Sequence, residues 1–461
     1  MTRNVRRLSR RSLLKQAAGS AAALSMMSLS RRVLGANERV SLATVGTANR
    51  AGENTDQLNP LTNIVAICDV DSKSLDHRGR ALSEAKQYAD YRQMFEKEEK
   101  NIDAVMVGTP DHHHATASAR ALAMGKHVYC EKPLTHTVRE ARTIAMLTKK
   151  HKCITQMGTQ IHAGGNYRRV VELIQSGAIG SVTRVHTWVG TQYSGTENPA
   201  KPPVPATLNW DLWLGAAPQR DYHVGLHPFA WRGYWDFGGG GLADMACHHM
   251  DLPFWALGLR HPTQVSAQGP QPHDDRCPQW LVVDYHFPAR EKGKAGHGGF
   301  LGDSSKNPGG PAVNLTWYNG DKRPDDLAKL TASLPEQHRG WGGGNIFQGD
   351  KGYLLADYGR QFLFDADGKH VDKFERPAAF IPDSIGHHKE FVEAIRAGGA
   401  TTCNFDYAGA LTEAVLLGNV AYRSQTKLEW SAAKFAVTNS KDANKWLDKE
   451  YRKGWEIGNM A

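Results

Sequence analysis

Five short apolar runs punctuate residues 39–158: RVSLATVG (39–46), IVAICD (64–69), AVMVGTP (104–110), HVYCEKP (127–133) and CITQMG (153–158). Helical stretches such as TASARALAMG (116–125) and TVREARTIAMLTKK (137–150) separate them. A strand with one wet face alternates apolar and polar residues, whereas a strand covered on both faces is apolar throughout. Continuous runs alternating with helices therefore predict a parallel sheet with helices on either side. A chain of 461 residues is too long for one ordinary core, so residues 37–160 are expected to form a first domain and residues 161–461 a second.

A parallel sheet of this kind suits a dinucleotide. Gly46 closes the first run and Asp69 the second, 23 positions later, the interval at which a carboxylate reaches the adenosine ribose of NAD. The glycine fingerprint departs from G-x-G-x-x-G: Gly46 is followed by Ala48, Ala51 and then Gly52. Taken alone, the turn reads equally as a plain strand-turn-helix, because a methyl at Ala48 crowds the approach to a pyrophosphate. The cofactor-binding candidates are Gly46, Ala48, Asn49, Arg50, Asp69, Thr109, Pro110, His112, His114, Glu131 and Lys132. Asp69, with no arginine directly after it, favours NAD by repelling a 2′-phosphate. Arg50 keeps NADP open.

The stretch GGGGLADMACHHMD (238–251) is the second constraint. If it is helical, Asp244, His248 and Asp251 fall at i, i+4 and i+7 on one face, with His249 pointing elsewhere. Such a stripe serves a metal, an acid–base relay or a capped helix with a polar face. Two other histidine groups, His112 to His114 and His387–His388, invite a metal reading. Adjacent histidines diverge in direction, however, and no HExxH motif occurs, so no metal is expected.

At GTPDHHH (108–114), EKPL (131–134) and the D-x-x-x-H-x-x-D of Asp244, His248 and Asp251, the chain resembles the Gfo/Idh/MocA oxidoreductase family from about Arg39 onward. Ala246 stands where the family has glycine. The resemblance implies a Rossmann domain, a doubly wound parallel sheet, followed by a C-terminal α+β domain with an open, mainly antiparallel sheet. It also implies that Lys132 lies beside the nicotinamide and the substrate hydroxyl, that Pro133 is cis, and that the second domain builds a homo-oligomer. Lys132, Asp244 and His248 are the catalytic candidates. His248 titrates near neutrality when unperturbed and suits a base for a hydroxyl proton. Asp244 can orient it, and Lys132 can stabilise a developing alkoxide. The substrate-binding candidates are His162, Tyr167, Arg168, Trp231, Arg232, Trp235, Asp244, His248 and His387.

In the second half, VTRVHTWVG (182–190), TQVSAQG (263–269), WLVVDYHF (280–287) and VNLTWYN (313–319) alternate apolar and polar residues, as an antiparallel sheet with one packed face requires. Five tryptophans, Trp188, Trp210, Trp213, Trp231 and Trp235, crowd the stretch before the glycine run; most are read as packing. Residues 291–311 read as a mobile Gly/Lys/Ser-rich loop.

The net charge of +9 suggests nucleic acid, but residues 1–36 hold eight basic residues and no acid. The remainder is nearly neutral. Ser9-Arg10-Arg11-Ser12-Leu13-Leu14-Lys15 before a mildly apolar segment resembles a twin-arginine export signal, predicting a periplasmic or otherwise exported protein, recognised as a precursor by the twin-arginine export machinery and free of a membrane anchor when mature. The six cysteines show no CxxC pair, and Cys68, Cys130 and Cys153 read as buried. The expected function is an exported NAD(P)-dependent oxidoreductase acting on a carbohydrate or cyclitol hydroxyl with a tightly bound, recycled cofactor. A redox-neutral glycoside-cleaving or epimerising enzyme and a non-catalytic sugar-binding protein are the alternatives.

Overall fold

A computed structural model describes residues 39–293 and 307–458. Residues 1–38, where the export signal is expected, and most of the expected 291–311 loop lie outside the described residues.

The apolar runs of the first domain become β1 (Ser41–Val45), β2 (Asn63–Cys68), β4 (Ala104–Val107), β5 (His127–Cys130) and β6 (Thr155–Met157). A sixth strand, β3 (Lys86–Tyr88), has no sequence signal because its three residues are largely polar and sit at the sheet edge. All six are parallel in the order β3-β2-β1-β4-β5-β6. The order reverses between β1 and β4, so the connections leaving these two strands depart to opposite sides and open a crevice at their carboxyl ends. Local chemistry starts the helices: Asp71 caps Ser72–Ala81, and Thr137 with Glu140 forms a capping box on Val138–His151, satisfying N–H groups that lack intrahelical partners.

The second domain is a nine-stranded sheet in the order β13-β12-β11-β7-β10-β9-β8-β14-β15. Its strands are β7 (Val182–Val189), β8 (Gln264–Gln268), β9 (Val282–Phe287), β10 (Val313–Asn319), β11 (Gly343–Gly349), β12 (Gly352–Ala356), β13 (Gln361–Phe364), β14 (Leu428–Ser431) and β15 (Ala436–Val437). Every pair is antiparallel except β7 with β10. In β9 and β10, Val283, Tyr285, Phe287, Val313, Leu315 and Trp317 are buried while Asp284 and Asn314 are exposed. The alternation is that of one packed face.

The 20-residue helix Phe405–Ser424 packs between this sheet and the first domain, touching β8, helix Val138–His151 and helix Gly240–His249. It is buried over nearly its whole circumference, so it has no polar stripe and escapes periodicity analysis. Arg142 pins it by a bidentate pair of bonds to Glu413, Nε to Oε2 and Nη2 to Oε1, both at 3.0 Å, the strong geometry for a buried carboxylate. All six cysteines are buried.

Candidate active site

A cavity of about 1450 Å³ opens at the β1/β4 crevice and is walled on its far side by the second domain. Its nucleotide-binding end is built by the turn after β1. Gly46 has φ +95°, its N–H donates to the Cys68 carbonyl (2.8 Å), and a Cβ there would lie 3.0 Å from the Gly108 carbonyl oxygen. Only glycine meets both demands. Ala48 is exposed, and Asn49 takes the left-handed conformation (φ +49°) that starts helix Asn49–Leu58. That N-terminus has no side-chain cap and no acid in its first turn, leaving its N–H groups and dipole for a phosphate. The residues therefore fit a dinucleotide despite the alanine at 48. Gly46→Ala is expected to destabilise the fold by about 2 kcal/mol through backbone strain and to weaken NAD binding, readable from denaturant unfolding and from titration with NAD.

Asp69 closes β2 on the same wall. Its carboxylate accepts from Thr47 N–H (2.9 Å), Thr47 Oγ1 (2.8 Å) and Asp71 N–H (3.0 Å), and burial raises its pKa despite these bonds. Thr47, absent from the sequence candidates, is what aims it. Lys73, His77, Arg78 and Arg80 line the wall beyond Asp69. No single residue after Asp69 shows this positive rim, since helix Ser72–Ala81 supplies it from further along the chain.

At the other end, Lys132 Nζ donates to Asp244 Oδ1 and to the Asp244 carbonyl, both at 2.9 Å, and the Lys132–Pro133 peptide is cis. Arg232 Nε donates to the same carboxylate oxygen (3.0 Å). Burial alone would lower the Lys132 pKa; the Asp244 carboxylate reverses this and holds it above the usual range. Burial likewise works to raise Asp244, and the charges of Lys132 and Arg232 bring it below its ordinary value. The pair is charged on both sides, as a desolvated pair must be to persist.

His248 lies one turn beyond Asp244 on helix Gly240–His249, and its imidazole lines the cavity with no hydrogen-bond partner among the described residues. Burial, and then the Lys132 charge, pulls its pKa well below 6.5. The imidazole is neutral and free to accept a proton. Tyr167, expected to touch substrate, instead stands behind the helix, donating from its hydroxyl to the His248 carbonyl (3.2 Å).

The predicted stripe breaks after His248. Asp251 begins a new helix, Asp251–Leu257, is fully buried, and accepts from His162 Nδ1 (2.9 Å) and the Tyr407 hydroxyl (2.7 Å). His162, Asp251 and Cys403 hold their ligand-type atoms within 4.8 Å of one another, but His162 and Tyr407 already satisfy the Asp251 carboxylate. Neither His162 nor Asp251 reaches the cavity wall. Four further candidates also face elsewhere. Arg168 Nη1 donates to the Pro382 carbonyl (2.7 Å), Trp235 Nε1 to the His273 carbonyl (2.9 Å), His387 Nε2 lies 2.9 Å from the Met157 carbonyl, and His114 bridges the Thr109 and Pro133 carbonyls at 2.9 and 2.7 Å. Long-range packing claims each of them, and nothing in local spacing reveals it.

His112 is a sharper correction. Adjacent histidines were expected to diverge, yet His112 and His113 both place Nε2 at 2.9 Å from the Trp213 carbonyl, and it is His113 that reaches the cavity. Gly46, Ala48, Asn49, Arg50, Asp69, Thr109, Pro110, Glu131, Lys132, Trp231, Arg232, Asp244 and His248 do line it. Sequence reasoning missed Asp111, Gln160, Tyr193, Phe229 and Tyr358, which line it too. Gln160 and Asn54 hold the Glu131 carboxylate at 2.8 and 2.7 Å. Asp111 is a buried carboxyl at the start of helix Asp111–Ala123, and burial, then the charge of Asp244, pushes its pKa well above the carboxylate range.

A parallel dinucleotide-binding sheet, a second sheet domain closing its crevice, and a lysine–carboxylate pair beside a free histidine together define a two-domain oxidoreductase. Residues 40–159 match the profile described as "Oxidoreductase family, NAD-binding Rossmann fold" and residues 165–292 the "Oxidoreductase family, C-terminal alpha/beta domain", both Gfo/Idh/MocA. Between them they span more than half of the chain, and the chain belongs to the Gfo/Idh/MocA oxidoreductase family. It is 30% identical over 153 residues to an inositol 2-dehydrogenase of Salmonella typhimurium; that alignment spans 32% of this chain and 44% of the relative, less than half its length. Among solved structures, the aldose-aldose oxidoreductase from Caulobacter crescentus complexed with glycerol has a TM-score of 0.56 at 16% identity, covering 85% of this chain and 100% of that one. The WlbA dehydrogenase from Bordetella pertussis in complex with NADH and UDP-GlcNAcA has a TM-score of 0.56 at 15% identity, covering 86% and 99%. At these identities the likeness is one of fold.

Proposed function

We propose that the protein is an exported NAD-dependent oxidoreductase that oxidises a secondary hydroxyl of a carbohydrate or cyclitol and retains its cofactor between turnovers. The observation that carries this reading is the meeting, in one cavity, of the Lys132–Asp244 pair, the unpartnered His248 imidazole and the Gly46/Asp69 turn. NAD, when bound, supplies the hydride acceptor. His248 takes the hydroxyl proton, for which its depressed pKa keeps it neutral. Lys132 stabilises the developing alkoxide, and Asp244 keeps that ammonium in place and charged. Tyr193, Phe229 and Trp231 stack around the Arg232 guanidinium (5.9, 4.4 and 4.2 Å to the ring centroids), offering apolar faces to sugar C–H groups. The inositol 2-dehydrogenase relative and the aldose oxidoreductase neighbour support a polyol substrate.

Cofactor retention rests on the irregular excursion 190–237. It crosses to the chain after β2, where Ser72 N–H donates to the Thr207 carbonyl and Asn209 N–H to the Val70 carbonyl, both at 2.9 Å. These bonds fasten the excursion beside Asp69, at the end of the cleft that an adenosine would occupy. A folded, loaded enzyme is the kind of cargo a twin-arginine signal at residues 1–36 would serve. A second copy on the outer face of the nine-stranded sheet belongs to the same reading. The redox-neutral alternative has its own support: Asp111, a buried carboxyl in the same cavity whose pKa burial raises, can in its protonated form donate to a leaving group while the hydride is held and returned.

The test is to denature the purified protein and assay the supernatant for NAD(H) and NADP(H). Near-stoichiometric NAD is the expected result, and NADP in its place would mean that the Lys73–Arg80 rim outweighs Asp69. A protein that is empty and also fails to bind added NAD would sink the oxidoreductase reading.

A further inference from the structure

A second cavity, of about 240 Å³, lies apart from the cleft, between the glycine run, helix Phe405–Ser424 and the C-terminal segment. At about 30 Å³ per water it has room for a small organic ligand. Its charged wall is mostly spoken for. Asp236 is paired with Arg220 (2.9 Å), Asp448 with Arg139 (2.7 Å), Lys445 with Asp442 (2.7 Å) and Lys449 with the buried Glu140 (2.9 Å), while Glu450 is exposed to solvent.

Arg423 is different. Its guanidinium is held between two indoles, 3.9 Å from the Trp446 centroid and 4.7 Å from that of Trp235, and it has no carboxylate partner among the described residues. Aromatic faces fix the plane of a guanidinium and leave its edge, with its fork of N–H donors, for a planar anion. Burial pulls this group down to about 10, against the more distant charges of Asp236 and Asp274. Asn419, which also lines the cavity, is buried; its Nδ2 donates to the Gly239 carbonyl (3.0 Å), and its Oδ1 has no hydrogen-bond partner. A buried acceptor without a donor costs free energy unless something supplies one.

We propose that this cavity is a binding site for a small hydroxy-carboxylate, its carboxylate on the edge of Arg423 and its hydroxyl donating to Asn419 Oδ1. The two unmet groups ask for one ligand that carries both an anion and a hydrogen-bond donor, which neither a simple carboxylate nor a neutral polyol provides. The site is separate from the redox cleft, and its wall includes the carbonyls of Gly238 and Gly239, held by His136 (3.3 Å) and Asn419, just before the helix that bears Asp244 and His248.

The experiment is calorimetric titration of the purified, cofactor-loaded protein with glycerate, acetate, glycerol and inorganic phosphate. Glycerate is expected to bind saturably, acetate and glycerol far more weakly, and phosphate not to compete. Arg423→Gln should weaken glycerate by about tenfold or more, as loss of a charge-assisted contact does, and leave the NAD content unchanged. If Arg423→Gln does not fold, Trp446→Ala, at an indole that is 39% exposed, removes one face of the sandwich and should weaken glycerate as well. Absence of glycerate binding, binding equalled by acetate or phosphate, or binding that survives these substitutions because it occurs in the large cleft would each overturn the proposal. The redox assignment does not enter the outcome, since binding is read without turnover.

Discussion

Lys132→Ala is expected to lower turnover by about 10³-fold or more, the loss typical of removing a donor aimed at developing charge, while leaving the NAD content of the purified protein intact. The substitution deletes the ammonium that meets Asp244 at 2.9 Å, but Asp244 keeps its bond from Arg232 at 3.0 Å. The carboxylate is therefore not left alone in a buried site, and the fold should survive. The nucleotide turn at Gly46 and Asp69 does not include the lysine side chain. The measurement is a single-turnover reaction, following the near-ultraviolet absorbance of reduced nicotinamide when a panel of sugars and inositols is mixed with the loaded enzyme. His248→Ala should lose about 10²- to 10⁴-fold in the same assay. Wild-type rates in both variants would point to a sugar-binding protein that keeps the fold without the chemistry. Because the His248 pKa lies well below 6.5, turnover should hold as pH drops below that value and fail only when the imidazole charges.

Acid should destabilise this protein early and steeply. Burial, the largest cause in each case, pulls His113, His114 and His249 to about 4 and His136 and His387 to about 3. Each of these groups binds its proton near 6.5 when unfolded but only near 3 to 4 when folded. Between those values the unfolded state holds more protons, so stability is fully present above 6.5 and is lost as pH falls through the window. Each such group adds about 1.4 kcal/mol per pH unit to the slope. Asp69, Glu131 and Asp111, raised by burial, act in the opposite sense and offset part of this; they are outnumbered. The expected result is a fall in Tm on the order of 10 °C between pH 7 and pH 5, measured by calorimetry, and a shallower fall in His387→Gln. A flat profile would mean that these histidines are hydrated or paired with acids in solution.

Of the site, the candidate residues that line the cavity were partly legible and their surroundings were not. Asp244 and His248 were readable because both lie on one helix, four residues apart, and helical spacing is a local property. Asp251 was misread although a signal stood two residues further on: Pro253 has no N–H for the His249 carbonyl and its ring crowds it, so one helix ends at His249 and another starts at Asp251. The cofactor turn was read with doubt because of Ala48, and the three-dimensional turn shows why alanine is tolerated there, its position being exposed. The contrast between Trp231 and Trp235, four residues apart with one on the cavity and the other bonded to His273, is invisible to composition.

By itself the sequence determined the first domain, because a strand covered on both faces writes its burial into its own residues. It also picked out Lys132 and His248 as the candidates for the chemistry, through short motifs whose geometry is internal to one turn or one helix. Only the tertiary structure decided which groups meet. Lys132 and Asp244 are 112 positions apart, and the helix Phe405–Ser424 that seats the two domains against each other shows no face at all until both are folded around it. Periodicity records whether a segment is buried; the identity of what buries it depends on contacts between distant residues, which no local pattern encodes.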